Sequence, residues 1–460
     1  MARQAESDRD ALTGGDESGA FHRVLRRAVD VEAREVSAML MAFAYFFFVL
    51  SAWFVLRPIR EQVGAAAGVS RLPWLYAGTL TAMFICNPLF SSLVVRYSVR
   101  RFIVITYQFF VANLLVFFVL MRVVASTEGS TGDAWVGRAF YIWTSVFNLF
   151  VVSVFWCFMA DYFRSEQAKR LFGFIAVGGT LGSIAGSEVT AVFASRIGHA
   201  NLLLVSVALL ELAVLTVVRF PAREPDASRS DDSAAHQLLP IGGSTWAGFT
   251  HVMRSPYLFG IAAFLVLLNI GSTILYFEQA AIVGRYFPDR ATQTTVFAQI
   301  ELAVQVLTLV TQVFLTGRIL RWVGLAAGLA FLPVVSMIGF AALGAVPVFA
   351  ALAAFTIVRR AGNFALNNPA MEILFTVVPR EDKYKAKSFI ETFVYRGGDQ
   401  VGAWTFTALG AMGLGLAGIA FAAVPIAAVW LGLSVWLGRQ QALLAGDRTG
   451  TLPEAATLPA

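Results

Sequence analysis

Residues Glu166–Gly182 read "EQAKRLFGFIAVGGTLG", and Lys383–Gly402 read "KYKAKSFIETFVYRGGDQVG". Each sets an Ala-Lys pair ahead of a Gly-Gly pair at the mouth of an apolar run. Ala168-Lys169 and Ala386-Lys387 lie 218 positions apart, and Gly178-Gly179 and Gly397-Gly398 lie 219 apart. A third pair of matches, Glu61-Gln62 and Glu278-Gln279, is offset by 217. Three coincidences at nearly one offset mark an internal repeat. Between the copies runs "FPAREPDASRSDDSAAHQLLPIGGST" (Phe220–Thr245), rich in Pro, Asp and Ser, which reads as a linker.

What is repeated is hydrophobic. The chain has 460 residues, 58% hydrophobic and 14% charged, outside the balance of a soluble globular protein. A bilayer core about 30 Å thick needs roughly 20 apolar residues per helix, and such runs recur near 37–56, 72–95, 102–124, 138–160, 171–194, 201–219, 256–283, 295–317, 323–344, 346–378, 389–413 and 415–437. The expected fold is an all-α membrane protein of about twelve transmembrane helices in two six-helix bundles. Its parts are a polar tail with a basic amphipathic segment (1–36), a first bundle (37–219), a cytoplasmic linker (220–254), a second bundle (255–438) and a C-terminal tail (439–460). An offset of six spans preserves orientation, so the repeats are parallel and related by an axis along the membrane normal. That is the major-facilitator arrangement, with the substrate site between the halves. No G-x-x-x-x-G-K-[ST] loop is present, so an ATP-driven pump lacks its engine and secondary transport is the better class. No enzyme activity, cofactor or metal site is expected.

The net charge of +6 raises the question of nucleic acid, but the basic residues are dispersed among short loops and form no single face. Arg96, Arg100 and Arg101 follow span two, Arg164, Lys169 and Arg170 span four, Arg318 and Arg321 span eight, and Arg380, Lys383, Lys385 and Lys387 span ten. The loops after spans nine and eleven carry none, so the even-numbered loops and both termini are expected in the cytoplasm, with the protein in the inner membrane. The first residues lack the basic-then-apolar pattern of a cleaved signal peptide, and "FHRVLRRAVDVEAR" fits a short helix lying on the inner leaflet. Cys86 and Cys157 fall inside spans and read as buried structural thiols.

A charge at mid-bilayer costs roughly 2.5–3.5 kcal/mol on insertion scales and is expected to face a cavity or a partner. Arg359-Arg360 fall in the tenth span, ahead of "AGNFALNNPAME", a poor helix tolerable where backbone lines water or protein. Their guanidinium forks match phosphate or carboxylate; the competing role is a salt bridge to Glu278, Glu301 or Glu372. Arg57 and Arg60, in "FVLRPIREQVG" (Phe54–Gly64), share a helical face, with Glu61 beside Arg57 at the i,i+4 spacing. At what reads as the end of the first span they either snorkel to the interface or turn inward at a bend at Pro58. Glu278 lies in "NIGSTILYFEQAAIVG" with no adjacent base; a lone buried carboxylate is neutral at pH 7 unless paired. It reads as a proton carrier, a counter-ion to a cavity arginine or a structural hydrogen-bonding group. Glu188, Glu211 and Glu301 read as helix-to-helix bonds. Asp161, Lys169, Arg170, Lys385 and Lys387 read as cytoplasmic gate or loop groups. The face "GGTLGSIAG" (Gly178–Gly186) is spaced for close helix packing. Trp53, Tyr76, Phe84 and Tyr276 are candidates for stacking on a flat substrate.

Four stretches also carry a resemblance. "LRPIRE" is similar to an Arg-x-x-Lys-Asp segment, "FWCFMADYFRSEQAKRLFGFIAVGG" to a Phe-Trp…Glu-Ala-Lys-Arg stretch, with matches at Phe155, Trp156, Ala168, Lys169 and Arg170. "ILYFEQ" aligns Glu278 with a glutamate of span seven. "NNPAMEILFTVVPREDKYKAKSFIETFVYRGG" matches at Pro369, Glu372, Lys385, Lys387, Ile390 and Arg396. From about Val36 to Val401 the chain resembles the nucleotide transporter family, the ATP/ADP translocases of plastids and obligate intracellular bacteria, within the major facilitator superfamily. Arg60 and Met371 stand where that family has lysines, and Glu61 and Glu391 where it has aspartates. Fewer cations suit a polyanion such as ATP less well. The resemblance implies a carrier for a nucleotide or a smaller organic anion, by exchange or proton coupling.

The combined expectation is a monomeric secondary transporter in which Arg57, Arg60, Arg359, Arg360 and Arg396 neutralise an anion, with Glu61, Glu278 and Glu372 in the same site. Its partners are a nucleotide-like anion, a coupling proton and lipid, with no nucleic acid. The alternatives are a proton-coupled permease for a non-nucleotide solute, and a receptor or scaffold that kept the fold without transporting.

Overall fold

The computed structural model describes residues 35–96, 99–124, 131–163, 165–221, 252–322, 324–378 and 389–449. The polar N-terminal segment, most of the linker and the loop carrying Lys383, Lys385 and Lys387 lie outside them. The described residues are almost wholly helical, and the chain is a multi-pass, all-α membrane protein.

Fourteen α-helices form among these residues. The first half holds α1 (Val36–Ala67), α2 (Leu72–Arg96), α3 (Val99–Val124), α4 (Thr131–Tyr162), α5 (Ser165–Ile197) and α6 (His199–Val218). The second holds α7 (Pro256–Tyr286), α8 (Arg290–Thr311), α9 (Gly317–Trp322), α10 (Gly324–Ala345), α11 (Phe349–Gly362), α12 (Asn368–Leu374), α13 (Tyr395–Ala411) and α14 (Leu416–Thr449). A π turn, Gln312–Thr316, joins α8 to α9, and another, Asn363–Asn367, joins α11 to α12, so each pair is one continuous rod. Counted as rods, these elements number twelve, and ten helices are long and apolar enough to cross a membrane.

Helix ends follow local chemistry. Gly68 and Gly198 take φ of 80° and 79°, open to glycine at little cost, and turn the chain from α1 to α2 and from α5 to α6. Ser255 caps α7, its Oγ accepting from the Leu258 amide at 3.4 Å with Pro256 in the first turn. Asp289 caps α8, its Oδ2 accepting from the Thr292 amide at 2.7 Å.

One sequence expectation is corrected here. The first span does not end at Arg57: α1 continues to Ala67, through Pro58, so Arg57, Arg60 and Glu61 sit inside a 32-residue helix. At 1.5 Å per residue that helix is about 48 Å long, well beyond the hydrocarbon core. The tenth rod runs on through "AGNFALNNPAME", within the 346–378 span expected, and the poor helix there takes the form of a π turn. Pro369 offers no amide and crowds the carbonyl four residues back, and the π turn just before it absorbs that mismatch while the rod stays helical.

The glycine face of α5 packs on α1. A Cβ at Gly178 would lie 2.6 Å from the Phe43 carbonyl oxygen, and one at Gly182 would overlap that of Phe47. Ser51 Oγ uses the close approach to donate to the Gly182 carbonyl at 3.0 Å. Its echo in α13 packs on α7: a Cβ at Gly398 would lie 3.0 Å from the Asn269 Cβ, and one at Gly402 2.9 Å from the Thr273 Cβ. The repeat seen in the sequence is thus a repeat of helix packing. Between the halves, α5 packs on α8, α2 on α13, and α1 on both α7 and α8. A core of first-half residues from Val36 to Phe220 fills one bundle; a second core joins Leu72, Leu75 and Tyr141 to Ile274, Phe277 and Val283 across the junction.

Candidate functional site

The junction encloses a cavity of about 420 Å³, within the size range of small-molecule sites. α1, α2 and α4 form its wall on one side, and α7, α8, α11, the Asn363–Asn367 turn and α13 form it on the other. Arg57, Arg60 and Glu61 line it from the first half, and Arg359, Arg360 and Arg396 from the second.

Arg60 is held three ways. Its Nε donates to Ser145 Oγ at 3.0 Å and its Nη1 to Glu61 Oε1 at 3.0 Å, while its guanidinium carbon sits 4.0 Å from the centre of the Tyr141 ring. The Tyr141 hydroxyl in turn bonds that of Tyr276 at 3.1 Å, tying the halves together behind the arginine. A cation stacked on an aromatic face and paired with a carboxylate is fixed in direction, so little side-chain entropy remains to be lost on binding an anion.

Glu301 is the centre of the opposite wall. Arg57 Nη1 lies 3.1 Å from its Oε1 and Arg360 Nη2 2.7 Å from its Oε2, so one carboxylate from α8 joins a cation of each half. Gln305 Nε2 adds a donor to Oε1 at 2.9 Å, and Ser183 Oγ of α5 donates to Gln305 at 3.2 Å. Arg359, next to Arg360 in sequence, has a different environment. Its Nε donates to Ser336 Oγ at 3.0 Å, its Nη1 to Ser272 Oγ at 3.0 Å and its Nη2 to the Leu268 carbonyl at 3.1 Å. No carboxylate lies within ion-pair distance of it among the described residues. Gly271 leaves room for this group, since a Cβ there would lie 3.4 Å from Arg359 Nη2. Arg396 faces Asp399 at 3.6 Å.

Other sequence candidates lie elsewhere. Glu278 does not line the cavity: it is wholly buried in α7, and neither of its carboxylate oxygens has a hydrogen-bond partner among the described residues. A counter-ion role to a cavity arginine is therefore excluded in this conformation, because the helix face that meets the cavity carries Gln279 instead. Glu372 is exposed on α12 and does not line the cavity, because the part of this rod that meets the cavity ends at Phe364, about two helical turns earlier. Arg170 pairs with Glu35 Oε1 at 3.0 Å, so it fastens α5 to the start of α1. Asp161 is exposed. The Lys169 side chain, Lys385 and Lys387 fall outside the description. Glu211 makes the helix-to-helix bond expected of it, with Gln108 at 3.0 Å. Trp53, Tyr76 and Tyr276 are on the cavity wall, whereas Phe84 is not.

Sequence reasoning named Glu301 as one possible salt-bridge partner of Arg359-Arg360, which the Arg360–Glu301 pair bears out, but favoured a structural role for it over substrate contact, and it passed over Ser145, Gln279 and Asn363 as site residues. A signal for Glu301 was present: Gln293, Glu301, Gln305 and Thr308 are buried polar residues of α8 at helical spacing, a stripe that an apolar span has no use for unless it faces charge. At the cavity's edge where α1 finishes, Arg290 forks onto Asp133 at 3.1 and 2.5 Å, and Gln62 meets Gln293 at 3.4 Å.

No protein-family model matches the chain. ADP,ATP carrier protein 2 of Chlamydia pneumoniae is 23% identical over 231 residues, 45% of this chain and 43% of that protein, so the match spans less than half of either. Among solved structures, a POT family transporter in complex with 5-aminolevulinic acid is similar at a TM-score of 0.60 and 10% identity, over 88% of this chain and 96% of that one. The nucleoside transporter NupG gives 0.53 and 14%, over 88% and 98%. A bacterial homologue of the human lysosomal transporter Spinster, inward-facing and unoccupied, gives 0.52 and 12%, over 90% and 99%. The fold is that of the major facilitator transporters.

Proposed function

We propose that the protein is a secondary transporter that moves an anionic small molecule, a nucleotide or another phosphorylated or organic anion, by alternating access. The observation behind this is that guanidinium groups of both halves line one cavity between them: Arg57 and Arg60 from α1, Arg359 and Arg360 from α11, Arg396 from α13. Against these five cations stand three lining carboxylates, Glu61, Glu301 and Asp399, which leaves the wall net positive and matched to an anion. Tyr76 and Tyr276 supply flat apolar surface beside the charges, suited to a ring such as a nucleobase. The curated likeness to an ADP,ATP carrier supports the nucleotide assignment.

In this reading the halves, residues 37–219 and 255–438, rock against each other about the cavity. The basic even-numbered loops put both termini in the cytoplasm of a bacterial inner membrane, and the Arg290–Asp133 fork then closes the cavity toward the outside. Glu278, buried in α7 without a hydrogen-bond partner among the described residues, is the group available to carry a coupling proton.

The test is uptake of labelled ATP, ADP, AMP and inorganic phosphate into proteoliposomes, with and without counter-substrate inside. Saturable uptake of at least one anion, lost in Arg360→Ala, is the expected result. Failure to move any of them, by protein that is folded and inserted, removes the proposal in favour of a non-transporting role.

A further inference from the structure

Resting on the transport reading, we propose that Glu301 is a built-in counter-anion: it holds Arg57 and Arg360 in the empty carrier and is the group with which an incoming phosphate or carboxylate competes for both. The arrangement around it is that of an anion site already filled. Two guanidinium groups, one from each half, converge on the two oxygens of a single carboxylate, at 3.1 and 2.7 Å. Each arginine contributes one contact, so the two guanidinium groups together clamp the carboxylate as they could clamp the oxygens of a substrate oxyanion.

The depth of the three groups sets the order of events. The side chains of Arg57 and Arg360 are each 21% exposed, while that of Glu301 is 4% exposed. The cations therefore front the cavity and the acid stands behind them. An anion entering the cavity meets the guanidinium groups first and draws them forward without having to displace Glu301 bodily. When they leave, Glu301 keeps the Gln305 donor, and Gln305 keeps Ser183 Oγ, so the acid is not stranded. The Arg57–Glu301 bond also joins α1 to α8, and so the same competition that seats the anion cuts a tie between the halves.

Replacing Glu301 by Gln removes the competitor while keeping its shape and one acceptor. With purified full-length protein, titrated with ADP and with inorganic phosphate, Glu301→Gln is expected to bind on the order of tenfold more tightly than wild type, because one attraction opposing binding is gone. In proteoliposomes the KM for ADP should fall while maximal exchange falls too, since release slows. Glu301→Asp keeps the charge but is too short to reach both cations, so it should tighten binding partway; it reads the same competition if the Gln variant does not fold. A purely structural Glu301 predicts the opposite, weaker binding in both variants. Should wild type bind ADP or phosphate while folded Glu301→Gln binds no more tightly, this inference fails and the transport reading stands. Binding by Glu301→Gln alone supports it. If neither protein binds either anion, both fall.

Discussion

Glu61-Gln62 and Glu278-Gln279 hold matching places in the two repeats, and the fold uses them in opposite ways. In α1 the glutamate lines the cavity, accepting from Arg60 at 3.0 Å, while the glutamine is buried against Gln293 of the other half. In α7 it is the glutamine that lines the cavity, and the glutamate lies behind it with no hydrogen bond among the described residues. A step of one residue turns a helix by about 100°. At the 217 offset the α1 lining residues Trp53, Arg57, Arg60 and Glu61 fall on Ile270, Ile274, Phe277 and Glu278, none of which is among the α7 lining residues Ser272, Thr273, Leu275, Tyr276 and Gln279. The repeats thus share how helices pack, through the glycines of α5 and α13, but not which face meets the substrate. Duplication preserved the scaffold and left the site asymmetric, with Arg57 and Arg60 on one helix turn and the second half's arginines divided between α11 and α13.

The sharpest way to break this contrast is to strip the paired acid of its cation. Arg60→Ala leaves Glu61 largely buried and unpaired, an expected loss of about 3 kcal/mol in unfolding stability, and uptake should drop to background. The double variant Arg60→Ala/Glu61→Gln should recover most of the stability but none of the uptake, which separates the structural part of the pair from its role toward the anion. Wild-type uptake by Arg60→Ala would show that the α1 wall is not part of the site.

A gentler change tests the unpaired acid. Glu278→Gln replaces a carboxyl group that has no partner among the described residues, and is neutral for that reason, with an amide of the same shape, so its melting temperature is expected to stay at or above that of wild type, whereas Glu61→Gln should melt lower because Arg60 loses its carboxylate. If Glu278 carries the coupling proton, exchange at equal pH on both sides persists in Glu278→Gln while accumulation driven by a pH gradient disappears. Equal destabilisation by the two glutamate substitutions would mean that the two acids are not used differently after all.

How much of this was legible beforehand follows the same division. The multi-span helical fold and the glycine packing come from long, regular hydrophobic patterns, and a repeat at a 217–219 offset implies that the two halves run parallel. The arginines were found because a charge in an apolar run is costly wherever it points. Direction is what the pattern withholds. Glu278 and Glu301 both lack a neighbouring base in sequence; the polar stripe of α8 marked Glu301 as inward-facing, but only the folded helices show that it joins Arg57 to Arg360 while Glu278 stands behind the wall. The end of the first span was misjudged for a related reason. Arg57-Pro58 resembles a stop signal, yet a proline inside a long helix gives up one hydrogen bond, and a helix lined by partners tolerates that.

The smallest effect is expected at the edge of the junction. The Arg290–Asp133 fork joins α8 to α4 with side chains 29% and 14% exposed, so water screens it in a way that it does not screen the Arg57–Glu301 pair. Arg290→Ala should therefore cost on the order of 1 kcal/mol, a roughly fivefold shift in any equilibrium that the fork biases. Spin labels on the α1–α2 and α7–α8 turns, both at this end, would report that shift as a larger population of long distances. Because neither Arg290 nor Asp133 lines the cavity, loss of the fork should alter how often this end opens and not how tightly an anion is held. The charge swap Asp133→Arg/Arg290→Asp should restore the wild-type distances. A change in ADP affinity in Arg290→Ala, with the distances unmoved, would instead tie this end of the molecule to the site and remove the distinction between a fastening at the rim and a contact in the interior.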